Sequence, residues 1–542
     1  MFNIRNLSIV AVLALGLSAQ TITLNGESIT SKEILEISNG AKVEIDQKAF
    51  KKAMKSHEVL LQAAKDGQKI YGLTVGVGLN KDKKFVDAKG NLDAEVIKAS
   101  TDFNIGLIHA HCGGVYEDMP IKTARAVLAA RLNNMLFGST GVQSDVLNLY
   151  KEFLNHDIIP AMPSSGSMGE ADITILGHVG LAMMGEGYVY YKGEKMQAGE
   201  ALKRAGLKKL TPFGKDSLSI LSSNAYSAAL ASLALEDLKQ ALKMSKMVFA
   251  LSLEAFNGNI APFSKEASEL RPFPDFVETT KEMREILKDS YLWDQDDSRA
   301  LQDPLSYRDA SYFFAALKNT VNELEGLMKI QLNSSDDNPG ISVGTKPETD
   351  KFQENKLFTK NGMGAVVPTS NFEPLMWVLE FEKASIVLAH NSKASALRTI
   401  KLSNDGFTHL SRFLGTDKTV HAFGAMQKPF VALAGENEFL ANPASLHYTP
   451  VAGEIEDVAT NAPFVMQKFQ KQIDNFYYIM GMELIHAAQA IDLRMQKNPN
   501  LKLSKTTKKL YDEYRKIVKF LEVDRVLTDD FRSSAKFLRE YK

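Results

Sequence analysis

Four stretches constrain this chain more than anything else in it. Residues 216–258, 311–330, 374–398 and 465–495 are long, apolar and rich in helix-forming side chains. In 311–330, Phe314, Leu317, Val321, Leu324 and Met328 recur at steps of three and four, the period of one face of an α-helix. These helices carry apolar residues on more than one face, so each must be covered from several sides. A bundle packed on itself and on other copies of the chain meets that requirement. At 542 residues the chain is long enough for one large fold or for more than one domain.

The N-terminal part reads differently. Thr21–Leu24 and Lys42–Ile45 look like short strands, followed by a helix ending near Lys65. Residues 80–92 are rich in Lys, Asp and Gly and read as an exposed loop. Ile121–Phe137 has helical periodicity and stops at Gly138, a suitable C-cap. The run YVYYKGEKM, beginning at Tyr188, predicts a hairpin. Thr211-Pro212-Phe213-Gly214 is the best boundary signal. We therefore expect residues 20–213 to form an N-terminal domain and 214–542 a helical bundle with a C-terminal helical cap.

The first residues, MFNIRNLSIVAVLALGLSAQ, have a basic start at Arg5, an apolar run from Leu7 to Leu17 and small residues at Ser18-Ala19. That is the pattern of a secretory signal over 1–19, with export to a bacterial periplasm as the expected outcome and an uncleaved anchor as the alternative. A net charge of −1 gives no electrostatic basis for binding nucleic acid or, after signal removal, a membrane surface. Cys112 is the sole cysteine, which excludes an intrachain disulfide and a thiolate metal cluster within one chain. It reads as a small buried residue or, failing that, a nucleophile. No HExxH or GxSxG spacing occurs, and no metal site is expected.

Pro163–Gly187 is the densest cluster of small residues, and it carries two acids, Glu170 and Asp172. Two carboxylates in so short a segment are costly unless a cation sits nearby. The alternative is a solvent-exposed loop before a buried helix. Upstream, Tyr71-Gly72 through Gly76-Val77-Gly78 is a glycine-punctuated loop without the spacing of a nucleotide-binding fingerprint.

Taken together, these segments resemble the histidine and phenylalanine ammonia-lyase family. The likeness rests on Gly166-Ser167-Met168-Gly169 with Asp172, His178 and Gly185-Glu186-Gly187, and on the Tyr71 loop, His111 and Arg131-Leu132-Asn133-Asn134. Gln302-Asp303-Pro304 with Ser306 and Arg308, Asp337-Asn338-Pro339, Asn371-Phe372-Glu373-Pro374, and Glu456-Asp457 with Ala462-Pro463 keep the family order. The resemblance implies a mostly α fold, a long central helical bundle behind an N-terminal active-site domain. It also implies a homotetramer whose sites combine several chains and take a small-molecule substrate.

The departures are informative. Ordinary members build an electrophilic methylidene-imidazolone from an internal Ala-Ser-Gly. Here that place reads Glu170-Ala171, one residue shorter, with neither the serine that dehydrates nor the glycine that closes the ring. The family's neighbouring asparagine is Ser222, and the tyrosine of its QDPYSxR segment is Leu305. Without that cofactor the substrate must bring an activated leaving group. A trimethylammonium group leaves as neutral trimethylamine and has no lone pair to attack an electrophile. The expected reaction is elimination of trimethylamine from an aromatic amino-acid betaine, such as ergothioneine to thiourocanate. Ammonia elimination from histidine or another aromatic amino acid, and an exported binding protein without activity, are the alternatives.

Roles follow from the matching positions. Tyr71 would be the general base, its phenol lowered by neighbours, or else a packing tyrosine at a turn. Arg308 would clamp the substrate carboxylate, or form a structural salt bridge. Glu456 would tune the base or bond a ring nitrogen, unless it belongs to a surface acidic run. Lys393 would stabilise developing negative charge from a core helix, or simply snorkel. Glu170 and Asp172 would face the cation, with Phe372 adding cation–π attraction. His111 would orient the ring, Gln302 and Ser222 would supply polar contacts, and His178 would be structural. The exported protein is expected to begin at Gln20, which mass spectrometry of the intact periplasmic form would check.

Overall fold

The computed structural model describes residues 20–70, Leu73 and 94–542. The expected export signal, Tyr71 and the 80–92 loop lie outside the described residues. The four apolar stretches form helices. Ala310–Leu332, Leu375–Leu402 and Ala462–Lys497 each correspond to one stretch, while 216–258 divides into Asp216–Leu221 and Ala225–Phe256. The division has a local cause. Asp336 accepts the Asn224 N–H at 2.8 Å and the Ser223 hydroxyl at 2.9 Å, so a carboxylate from elsewhere takes the Asn224 N–H that a continuous helix would pair internally.

Ala225–Phe256 is the axis. Ala462–Lys497 packs along it, Leu375–Leu402 packs on Ala462–Lys497, and Ala310–Leu332 fills the remaining side. With Asp216–Leu221 it is apolar and long enough to cross a membrane, but it lies in the protein core. It ends at Asn257, whose left-handed backbone (φ 60°) lets its N–H reach Leu253 and Glu254 carbonyls.

Strands are few. Thr21–Leu24 and Lys42–Ile45 pair in parallel. Tyr188–Tyr191 and Glu194–Gln197 form the expected hairpin, its two central residues Lys192 and Gly193 both at positive φ. Val115–Asp118 pairs antiparallel with Pro163–Ser165, and Gly340–Val343 with Gly364–Val367. One apolar cluster runs from Ile22 to Tyr541, continuous across residue 214.

Inside it lies a buried ionic network. Arg131, on helix Ile121–Leu136, donates to Asp336 and Asp337 at 3.0 Å each and to the carbonyl of Ser219. Lys215 lies 3.3 Å from Asp337 and donates to Ser219 Oγ at 3.0 Å. Burial alone would push the Asp337 carboxyl up, but Arg131 and Lys215 together hold it below its ordinary value. Two cations and two anions are thus enclosed with matched charge.

The bundle leaves one helix face uncovered. On Leu375–Leu402, Met376, Leu379, Ile386 and Leu397 are 78, 48, 48 and 41% exposed. Their spacing puts them on one stripe, and an apolar stripe of this length marks an interaction surface. Replacing Arg131 with Met should destabilise the protein by about 3–5 kcal/mol, because two carboxylates lose a buried partner. Urea denaturation followed by circular dichroism would measure it.

Candidate functional site

The loop between Pro163–Ser165 and helix Ile173–Met183 is held at Gly166, Ser167, Gly169 and Asp172. Thr174 Oγ1 donates to the Gly166 carbonyl at 2.7 Å, and Asn224 Nδ2 to the Gly169 carbonyl at 2.8 Å. The Asp172 N–H donates to the Ser223 carbonyl at 2.7 Å. Gly169 has φ +88°, and a Cβ there would stand 2.7 Å from the Ala462 nitrogen. Ala171 also takes a left-handed backbone, φ 57°. Such a conformation persists only where neighbours over-determine it.

The two acids of this loop point to different surroundings. Asp172 is fully buried. Ser167 Oγ donates to it at 2.7 Å, the Ser227 N–H at 2.8 Å and Ser227 Oγ at 3.0 Å. Burial raises its carboxyl to about 6 against those donors. This corrects the expectation that it faces a substrate cation: its oxygens are occupied in fastening the loop to the axis helix. Glu170 is the acid left without such donors among the described residues. Its Oε1 is shut off from solvent and receives no donor. Burial, then the adjoining Glu373 carboxylate, then Glu456 and Asp172, push its carboxyl up to about 8.

Glu373 and Phe372 precede helix Leu375–Leu402. Glu373 accepts the Leu375 N–H at 2.8 Å, and Phe372 is half-buried beside it. Glu456 stands on an exposed turn closed by a bridge to Val451. His111 ends helix Ala94–His111 with Nδ1 donating to the Leu107 carbonyl at 2.7 Å. It lies four residues before Val115, whose strand partner is Ser165. Ser222 is buried next to Ser223, at the break before the axis helix. So Glu170, Glu373, Glu456, Phe372, His111 and Ser222 come from segments gathered around one loop.

Three expected residues are elsewhere in the chain. Tyr307 stacks on Phe256 at 4.3 Å, which puts Arg308 and exposed Gln302 at the far end of Ala225–Phe256. That helix has 32 residues, so about 48 Å separates them from the Glu170 loop at 1.5 Å per residue. Arg308 there lies 3.9 Å from Asp309. Lys393 was expected in a core setting. It sits instead on the uncovered stripe of Leu375–Leu402, 57% exposed and 2.9 Å from Glu438. Tyr71 lies outside the described residues. His178 is partly buried, and burial lowers its pKa.

The residue that sequence reasoning passed over is Glu373. In the sequence it stands only as part of the Asn371-Phe372-Glu373-Pro374 motif, and its signal is a third acid directly after Phe372. Thr460 was also missed; it is buried with an unpartnered hydroxyl beside Gly169. The methylidene-imidazolone of ordinary members does not fit these residues. Glu170-Ala171 supplies no serine or glycine, and the Asp172 nitrogen is engaged by Ser223. Among the described residues no group of three or more His, Cys, Asp or Glu is arranged to hold a metal ion.

Comparison with known proteins is consistent over nearly the whole chain. The family model for aromatic amino acid lyase matches residues 29–516. Histidine ammonia-lyase of Streptococcus gordonii is 28% identical over 507 residues, covering 93% of each chain. The crystal structure of ergothionase, an ergothioneine-degrading enzyme of Treponema denticola, in complex with desmethyl-ergothioneine sulfonic acid, is 35% identical. It superposes with a TM-score of 0.85 over 96% of this chain and 99% of that one. Histidine ammonia-lyase of Trypanosoma cruzi, at 23% identity and TM-score 0.82, shares the fold over 96% of this chain and 93% of its own.

Gly169→Ala should fold but lose about 1–3 kcal/mol and displace Glu170, since its Cβ meets backbone. Thermal unfolding paired with an activity assay would separate the modest stability loss from a much larger activity loss.

Proposed function

Because the chain belongs to the aromatic amino acid lyase family and is a carbon–nitrogen lyase, we propose that it eliminates trimethylamine from an aromatic amino-acid betaine of the ergothioneine type. The observation that carries this reading is Glu170. A carboxylate, with Glu373 and Glu456 beside it, stands where ordinary members build an electrophile. An electrophile serves an amine with a lone pair; carboxylates serve a permanent cation. The 35% identity to ergothionase supports the same substrate class.

In the elimination a base takes the β-proton, the C–H electrons form the double bond, and the Cα–N electrons leave with neutral trimethylamine. At an effective dielectric near 20, a carboxylate about 5 Å from the quaternary nitrogen attracts it by about 3 kcal/mol. That attraction favours the bound cation and fades as the charge departs, so it supplies binding and not rate. Acceleration falls to Tyr71 as base and to Arg308 and Lys393 as cations for the substrate's carboxylate and developing charge.

Arg308 and Lys393 reach Glu170 only across copies of the chain. The separation along the axis helix and the apolar stripe that carries Lys393 both support a homotetramer with shared sites. We assign the reaction to the periplasm on the strength of the N-terminal export pattern.

Incubation with ergothioneine should release trimethylamine with a rise in the absorbance of the conjugated product. Ammonia from histidine, or binding without turnover, would overturn this reading. Glu170→Gln should raise KM by about tenfold or more with a smaller change in kcat. Refolding a mixture of Glu170→Gln and Arg308→Ala chains should restore part of the activity that each lacks alone. No recovery would argue against a shared site.

A further inference from the structure

Residues 446–458, which carry Glu456, are all exposed, while Ala444 and Ser445 on one side and Ala459 and Thr460 on the other are buried. Between these roots the backbone pairs with itself through a bridge, the Val451 N–H donating to the Glu456 carbonyl at 3.0 Å with a return bond at 3.4 Å. The tip runs through Ala452, Gly453 and Glu454 at φ 54, 72 and 66°, a left-handed stretch with two non-glycine residues. Such a conformation persists only where the surroundings impose it, and an exposed turn has few contacts with which to fix its own direction. Where Glu456 stands is therefore decided at the roots.

Both roots are fastened by side chains of the bundle. Glu382, on helix Leu375–Leu402, is buried, and its Oε1 accepts the Ala444 N–H at 2.6 Å and the Ser445 N–H at 3.0 Å. Its Oε2 pairs with Lys468 of helix Ala462–Lys497 at 2.8 Å, and Lys468 also donates to the Asn442 carbonyl. From the other root Asn461 reaches across, its Nδ2 donating to the Ala444 carbonyl at 3.1 Å and to the His447 carbonyl. The two ends of the turn are thus closed on each other as in an Ω-loop. The closure rests against the Glu170 loop, since a Cβ at Gly169 would stand 2.7 Å from the Ala462 nitrogen and 3.0 Å from Thr460 Oγ1. A buried ion pair brings little net stability. This one joins two bundle helices and aims its carboxylate at the backbone N–H groups of the turn's root.

We propose that Glu382 and Asn461 are positioning residues for substrate binding: they hold the turn 446–458 so that the Glu456 carboxylate stands at the Glu170 loop, and they act on the substrate cation only through Glu456. The inference rests on the reading of the site given above and adds the residues that keep one of its acids in place.

Variants separate position from stability. Glu382→Ala leaves the Ala444 and Ser445 N–H groups without their acceptor and Lys468 without its counter-charge. Glu382→Gln keeps an oxygen for the two N–H groups and loses only the ion pair. Asn461→Gly removes the clasp but suits the left-handed backbone at that position, φ 50°. Both Glu382 variants should lower the unfolding temperature, whereas Asn461→Gly should stay closer to wild type.

The test uses glycine betaine, which carries the trimethylammonium group but no β-carbon and so cannot react, titrated calorimetrically into the intact protein. Glu382→Ala and Asn461→Gly should each raise its Kd by about fivefold or more, while Glu382→Gln binds like wild type despite its lower stability. With ergothioneine the first two should raise KM with a smaller change in kcat. In a double-mutant cycle, adding either of them to Glu456→Gln should weaken binding no further, because the residue they act through is already gone. Hydrogen exchange of the 446–458 backbone amides should speed up in both. Losses that multiply in the cycle, a Kd that follows the unfolding temperature across the three variants, or unchanged exchange in both would each overturn the proposal. If Glu382→Ala does not fold, Asn461→Gly carries the cycle alone. Wild type that binds no glycine betaine overturns the cation reading itself, whereas wild type and variants that bind it equally well overturn only the positioning.

Discussion

The loop that presents Glu170 depends on a buried ion network about which it is anchored. Arg131 is tied to Asp336 and Asp337, and Lys215 to Asp337. Asp336 in turn accepts from Ser223 and Asn224, and Asn224 holds the Gly169 carbonyl. A chain of hydrogen bonds therefore runs from the helix Ile121–Leu136 to the residue before Glu170. Taking four charges out of water is expensive, and apolar replacements often do as well for stability. What the network provides in return is position: it ends the short helix Asp216–Leu221, starts the axis helix, and fixes the loop between them.

Glu170 and Asp172 illustrate how little spacing says about role. They are two residues apart, yet one is saturated with serine donors and the other has acids as its charged neighbours among the described residues. The difference arises at Ala171, whose left-handed backbone turns the chain between them. Asp172 then does for the loop what a buried carboxylate does best when fully hydrogen-bonded, holding elements of distant sequence together. Glu170 is left with an unmet demand for positive charge.

The fold divides the rest of the chemistry by distance. Phe372, Glu373 and Glu456 enter with the loop because helix Leu375–Leu402 and helix Ala462–Lys497 both begin beside it. Arg308 and Gln302 belong to the opposite end of Ala225–Phe256. A long rigid helix cannot bend its ends together, so within one chain Arg308 and Gln302 stay apart from the Glu170 loop. The exposed apolar stripe through Met376, Leu379, Ile386 and Leu397 runs along the outer face of helix Leu375–Leu402.

Sequence by itself determined the helices and the family. Steps of three and four in 311–330 and the parallel stretches are local, and local periodicity survives whatever the helices pack against. The hairpin at Lys192-Gly193 and the stop at Gly138 were equally legible, because a turn's backbone demands are met by the residues in it. The loss of the cyclising serine and glycine at 170–171 was visible as letters. Only the tertiary structure decided which acid is buried among donors, that Glu373 adjoins Glu170, and that Lys393 lies on an outer face. Burial, hydrogen-bond partners and electrostatic neighbours are contributed by segments hundreds of residues apart, and no pattern within one segment encodes them.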